Sequence, residues 1–379
     1  TEVGPRGEPV GSYATAADEV DRLARKALSK VYGGNAPDHE SLINNFFSKY
    51  DQFIEKAPYY KVSRITGIEV RKELKRAKVS VGGLDNITPE EMLLFSPVMC
   101  DLLADFYNEV ESGAPWPEET NTARAAYLEK EPGQSDDPLK FRVLMILSTV
   151  YRRWASLRLR HLHGWIEGWA SDSIYAGRPG RGAEDAWYGT AVMLEHAMVT
   201  GQHSTGGAVD VRKCFDMIVR DLIYAVAEAA GMPPGILNAY KGFQETLLVR
   251  NTLMGSLGLP FSRRCAIPQG CPFSMAMVAL LFLPWTRQML MARVHPRTLA
   301  DDLLLVAHGP QHLSRFCNAL NLTHDYLHDV GARSAPEKAV NFSSCMQSRA
   351  WLRQHFWPCL QGATIKVAMH GRDLGAHFN

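Results

Sequence analysis

No stretch of the 379 residues is apolar for long enough to cross a bilayer. The longest clean apolar run, Met275 to Leu283, stops at Pro284, well short of the roughly 20 residues a membrane helix needs. Nothing near Thr1 resembles a signal peptide. The seven cysteines, at 100, 214, 265, 271, 317, 345 and 359, include no C-x-x-C pair and no Cys/His spacing of a zinc module. Reduced thiols in a soluble, intracellular protein are therefore expected, with no membrane partner and with nucleus and cytoplasm not distinguished. An excess of one charge is also missing: the formal net charge is +1, so the whole chain gives no electrostatic case for a polyanionic partner. Internal repeats and low-complexity tracts are absent.

What is present is a core-forming composition with a local imbalance of charge. Hydrophobic residues make up 46% of the chain, and the length suits two or three domains or one large enzyme with an extension. Lys140 to Arg160 holds six bases and no acid, and Lys61 to Lys78 holds seven bases against two acids. Either cluster alone reads as a solvated helix face; the two together suggest a polyanion track.

The first ten residues carry few apolar positions and are expected to lack order. From Ala14, the apolar positions Val20, Leu23, Ala24, Ala27, Leu28 and Val31 follow a helical period that Gly33 and Gly34 end. A second helix is expected from Leu42 to Ile54, with Phe46, Phe47, Tyr50 and Phe53 on its core face. Thr66-x-x-Glu69 and Thr88-Pro89-Glu90-Glu91 fit capping boxes. Beyond Trp116 the pattern shifts to short strands at 123–130 and 141–147, one long helix from Ser148 to Trp169, and a strand "GGAVDV". A helix from Ile218 to Gly231 follows, then a hairpin from "LLVRNTLMG" to "RRCAI" and a buried helix from Met275 to Val294. "RTLADDLLLV" reads as strand, turn, strand, with a helix near 311–329 and further strands to the end. The order is α+β with antiparallel pairing.

Asp301 and Asp302 interrupt an apolar strand pattern. A hairpin with an Asp-Asp turn puts both carboxylates at its tip, either as an ordinary Asx turn or as ligands for a cation. Asp210, near the end of another apolar strand, shifts the balance toward ligands. If the two strands are neighbours, Asp210 meets Asp301, and three clustered carboxylates need a cation. Oxygen-only ligands few in number select Mg²⁺, with Mn²⁺ as a substitute, and two such ions suit phosphoryl or nucleotidyl transfer.

In order along the chain, "DVRKCFD" (210–216), "AIPQGCPFSM" (266–275), "LADD" (299–302), "APEKAVNF" (335–342) and "RDLGAHF" (372–378) resemble motifs A to E of reverse transcriptases. Upstream, "GGLDNITPE" (82–90), residues 127–160 and "YAGRPGRGAEDA" (175–186) are similar to fingers blocks of non-LTR retrotransposon (LINE) and group II intron enzymes. The resemblance implies a right-hand polymerase: a palm of antiparallel sheet and packed helices, plus fingers, with a helical N-terminal extension and the thumb missing. The expected divisions are 1–60 for the extension, 61–206 for fingers and the fingers-palm region, and 207–379 for the palm.

The same resemblance implies Asp210 and Asp301 as principal metal ligands, with Asp302 adjacent and the Val211 carbonyl as a backbone ligand. Phe215 falls at the gate that excludes a 2′-hydroxyl, and Gln269 and Gly270 at the loop against nucleotide and template. Lys130 and Arg142 would hold the triphosphate, and Lys338 would protonate pyrophosphate. Arg178 and Arg181 would touch template phosphates, and Leu374 and Gly375 would form the primer grip. The implied cofactors are two Mg²⁺ ions, and the implied partners are an RNA template, a DNA primer and dNTPs; protein partners are left open.

Three departures from the family pattern stand out. Leu299 replaces the usual aromatic before A-D-D, "GGLDNIT" lacks the usual proline, and nothing follows motif E, so the chain is expected to be a fragment of a longer retrotransposon polyprotein. Two other readings remain open at this level. One is an RNA-dependent RNA polymerase, against which Phe215 stands. The other is a degenerate or domesticated copy that binds nucleic acid without catalysis, against which the intact acids stand.

Overall fold

The computed structural model describes residues 13–130, 137–360 and 362–369, with short backbone strands at 2–3, 9–10, 371–373 and 376–378. Its centre is a five-stranded sheet in the order Lys366–Ala368, Val340–Ser343, Ser204–Asp210, Asp302–His308, His295–Leu299. Every pairing in it is antiparallel except Val340–Ser343 with Lys366–Ala368. A four-stranded sheet runs Phe141–Ile146, Thr122–Glu129, Leu248–Leu253, Ser256–Leu257. The whole is a mixed α/β arrangement with antiparallel-rich sheets and many helices.

The central strand Ser204–Asp210 is buried on both faces, and its two glycines make room for the packing. A Cβ on Gly207 would meet the Phe316 ring at 2.9 Å, and one on Gly206 would run into Phe342 and the Leu305 carbonyl. Helix Ser274–Met291 lies against strand His295–Leu299, and helix His312–Asp329 against strand Asp302–His308. Ser274–Met291 is buried nearly all round, as an apolar segment without a polar face must be.

Local chemistry sets the N-terminal helices. Helix Ala17–Tyr32 stops at Gly33, and His39–Tyr50 continues as a turn over Asp51–Phe53. Both expected capping boxes form, at Thr66 with Glu69 and at Thr88 with Glu91. Buried Asp21 accepts from Asn251 Nδ2 at 2.8 Å and from the Leu259 amide at 3.2 Å. Asp329 accepts from Lys49 and Tyr50 at 2.9 Å. These bonds dock the first two helices on the body of the protein.

Several expectations need correction. The long helix from Ser148 to Trp169 is two, Thr149–His161 and His163–Trp169, meeting at Leu162 with ψ 1°. Just past the break, Gly164 packs so close to Tyr60 that a Cβ would lie 2.5 Å from its hydroxyl. The hairpin after Leu248 closes on Ser256–Leu257 rather than on "RRCAI". That stretch bonds elsewhere, Cys265 to Tyr32 and Ala266 to Ile218, each at 2.9 Å. A helix, Met346–Gln354, interrupts the expected run of strands. The bases of helix Thr149–His161 are spent internally rather than along a surface track. Arg158 is fully buried against Glu111 at 2.6 Å, Arg153 and Arg160 pair with Glu73, and Arg152 bonds the Val81 carbonyl. Among the described residues, no helix is long and apolar enough to cross a membrane. The expected lack of order at residues 1–10 lies outside the described residues except at 2–3 and 9–10, which pair as strands.

Candidate active site

Asp210 ends the central strand, and its Cα partner on the next strand is Asp302. The hairpin closes through the pair Leu299 and Asp302, so its two-residue loop is Ala300 and Asp301. The expected Asp-Asp turn is thus shifted by one residue: the buried run from Leu303 to Ala307 draws Asp302 into the strand as its first residue. Such a loop requires positive φ at its first position, and Ala300 adopts φ +56°, at a cost of about 1–2 kcal/mol for a residue with a Cβ.

Residues 335–338 fold over the end of the Asp210 strand. The Ala335 amide donates to the Asp210 carbonyl at 2.9 Å, and the Arg212 amide to the Arg333 carbonyl at 2.8 Å. This arrangement bridges Val211 to Ser334 without using the Val211 carbonyl. It also brings Lys338 Nζ to 3.4 Å from Asp210 Oδ2.

The electrostatics follow from that geometry. Burial holds the Asp301 carboxyl above the usual range and the neighbouring Asp210 raises it further, while Lys338 and Arg142 pull it down. Beneath lies Cys214, whose thiol is pushed well up by burial and then by the negative charges of Asp301, Asp216 and Asp210. Arg142, exposed on strand Phe141–Ile146 opposite Leu128, thus acts on the same carboxylate as Asp210 and Lys338. Lys130, also exposed, is felt instead at Lys213 and at Asp216, whose carboxyl burial raises.

Phe215 sits half-buried on the short helix Cys214–Met217, which starts where Lys213 turns the chain with φ +45°. Its carbonyl accepts from the Ile267 amide at 2.9 Å, tying it to the loop that holds Gln269 and Gly270. Gly270 has φ +147°, and a Cβ there would meet the Met145 carbonyl at 2.7 Å; only glycine lets this loop lie against strand Phe141–Ile146.

Two candidate residues have other company. Arg178 is largely buried and engages Glu167 at 2.7 Å and the Ser171 carbonyl at 2.8 Å. Arg181 is more open and stands 3.5 Å from Asp172. Leu374 and Gly375 lie outside the described residues.

Lys213 was missed by sequence reasoning. Its Nζ donates to the Leu139 carbonyl at 3.1 Å, joining the Asp210 loop to the four-stranded sheet, and burial lowers its pKa. The signal was inside a quoted motif, but only the left-handed backbone reveals where the side chain goes.

Among the described residues, no three His, Cys, Asp or Glu side chains close into a ready metal cage. The donor set nonetheless fits a hard cation such as Mg²⁺, which takes one or two carboxylates from the protein and completes its shell with substrate phosphates. Asp301 is a half-buried acid already pressed by Asp210, a charge arrangement that a hard cation would relieve.

Residues 129–356 match the family model described as reverse transcriptase (RNA-dependent DNA polymerase). Among curated proteins none matches the chain.

Proposed function

The chain belongs to the reverse transcriptase (RNA-dependent DNA polymerase) family, and from that premise we propose that it extends a DNA primer on an RNA template by two-metal nucleotidyl transfer, as part of a retrotransposon polyprotein of non-LTR type. The observation that carries the chemical reading is the register pair Asp210 and Asp302 with Asp301 in the adjoining turn. The five-stranded sheet serves as the palm, and the four-stranded sheet with Lys130 and Arg142 as the fingers.

Asp210 and Asp301 hold the ions, with Asp302 and the Val211 carbonyl completing the protein's share. When bound, divalent magnesium supplies Lewis-acid activation of the primer hydroxyl and neutralises the leaving pyrophosphate. Arg142 grips triphosphate oxygens through its planar fork and Lys130 adds a point charge. Lys338, beside Asp210, is placed to give a proton to the departing pyrophosphate. The Phe215 ring lies under the sugar and excludes a 2′-hydroxyl, while Gln269 and Gly270 form the floor under the nascent pair. Positioning and electrostatics provide most of the rate. Arg181 touches template phosphate, Arg178 braces the same loop through Glu167 and the Ser171 carbonyl, and Gly375 belongs to the primer grip.

The test is extension of oligo(dT) on poly(rA) with Mg²⁺ and dTTP, with Asp301→Ala beside the unaltered protein. Incorporation by the latter and none by the variant supports the reading; equal incorporation by both refutes it, and no incorporation by either favours the non-catalytic reading.

A further inference from the structure

Between Glu337 and Asp373 the chain carries five bases, Lys338, Arg349, Arg353, Lys366 and Arg372, and no acid. Helix Met346–Gln354 lies in this span and crosses from strand Val340–Ser343 to strand Lys366–Ala368 at the edge of the main sheet. A file of rings runs outward from the core along its C-terminal end. Phe316 meets buried Trp357 edge-on at 6.4 Å, Trp357 meets His355 edge-on at 4.6 Å, and His355 stacks on Trp351 at 4.1 Å and 18°. The outermost ring, Trp351, is 42% exposed, and neighbouring Phe356 is 65% exposed. Among the described residues Arg353 pairs with no acid. Two large exposed aromatics at the end of one helix, within an acid-free basic span, point to an occupant.

We propose that Trp351 and Phe356 form a stacking platform for unpaired nucleic acid, with Arg353 of the same helix supplying positive charge at its edge. The chemistry points to bases and phosphates rather than to a protein. A ring stacked on His355, which is itself held by buried Trp357, has little freedom left to lose on binding, any base can stack on it, and an acid-free basic span suits a polyanion. The position fits too. Lys366 is level with Val340 and hence with Ala208, two residues before Asp210, and two strand spacings of about 4.8 Å put it roughly 10 Å to the side of that strand. A single strand leaving the carboxylate end can reach the platform within a few nucleotides. The proposal deepens the polymerase reading by giving it a second contact, yet binding here needs no chemistry at Asp301.

The experiment measures anisotropy of labelled dT12, rU12 and a 12-base-pair duplex with the full chain. Trp351→Ala and Phe356→Ala should each weaken single-strand binding by about tenfold, with duplex affinity changed less than about twofold, and Trp351→Phe should recover most of the loss. Arg353→Gln should flatten the salt dependence of log affinity by about 0.7; being a surface change, it keeps the test decisive if Trp351→Ala fails to fold. A loss confined to rU12 assigns the platform to template, one confined to dT12 to product, and a loss in both to either strand. Unchanged affinity in all three variants overturns the proposal, as does a change only in self-association, which would make this face a protein interface. Arg353→Gln should take up Mn²⁺ as the unaltered protein does, so failure of the catalytic reading would show separately.

Discussion

Asp210 and Asp302 stand opposite each other as Cα partners on neighbouring antiparallel strands, and Asp301, one residue before Asp302, feels the charge of Asp210. Like charges so arranged oppose folding rather than assist it.

The stability of an Asp301 variant follows from this. Burial raises the carboxyl pKa of Asp301 in the folded protein, so the folded state holds its proton at a pH where the unfolded chain has released it. The resulting penalty grows as pH rises through that interval and is fully present above it. Asp301→Asn should therefore match or exceed the unaltered protein in urea midpoint at neutral pH without added metal, while extension falls about a hundredfold or more. A clear loss of stability would mean that the carboxylate has a structural role.

Sugar selection should rest on Phe215. Removing the ring in Phe215→Ala opens the space beneath the sugar, and the ratio of kcat/KM for dTTP over UTP should fall by about tenfold or more. An unchanged ratio would place the gate elsewhere.

The buried pair of Arg158 and Glu111 offers a test of the fold itself. Arg158 also donates to the Ser63 carbonyl at 2.8 Å, and Trp154 to Glu111 at 2.7 Å. Arg158→Met should cost about 3–5 kcal/mol by leaving Glu111 unpaired, and the double variant Arg158→Met, Glu111→Met should regain most of it in urea unfolding. Equal losses in single and double variants would contradict this.

His324 is buried on helix His312–Asp329 with no hydrogen-bond partner at Nε2, and burial lowers its pKa to about 4. The unfolded chain binds the proton near pH 6.5 and the folded one does not, so stability is whole above that pH and declines as pH falls toward 4. The decline attributable to this group is at most about 3 kcal/mol. His324→Leu should flatten the urea midpoint over this window; an unaltered slope would remove His324 as its source.

How far the sequence could be read depended on the range of the interaction. Capping boxes at Thr66 and Thr88 are closed by residues three positions away, and both were legible. So was the meeting of Asp210 with Asp301 and Asp302, since each ends or interrupts an apolar strand. Arg153, Arg158 and Arg160 were misread as part of a surface track because their partners, Glu73 and Glu111, lie far upstream and meet them only in the fold. The break at Leu162 was hidden in the same way, Gly164 being set against Tyr60. Helix Met346–Gln354 buries only Ser348 and Leu352, too thin a stripe to announce itself.

Manganese binding followed by electron paramagnetic resonance, with dTTP present, is the most direct test of the central claim that the carboxylates at 210 and 301 hold catalytic cations. The unaltered protein should take up Mn²⁺ tightly and lose that binding in the double variant Asp210→Asn, Asp301→Asn. Equal uptake by both proteins would contradict the account.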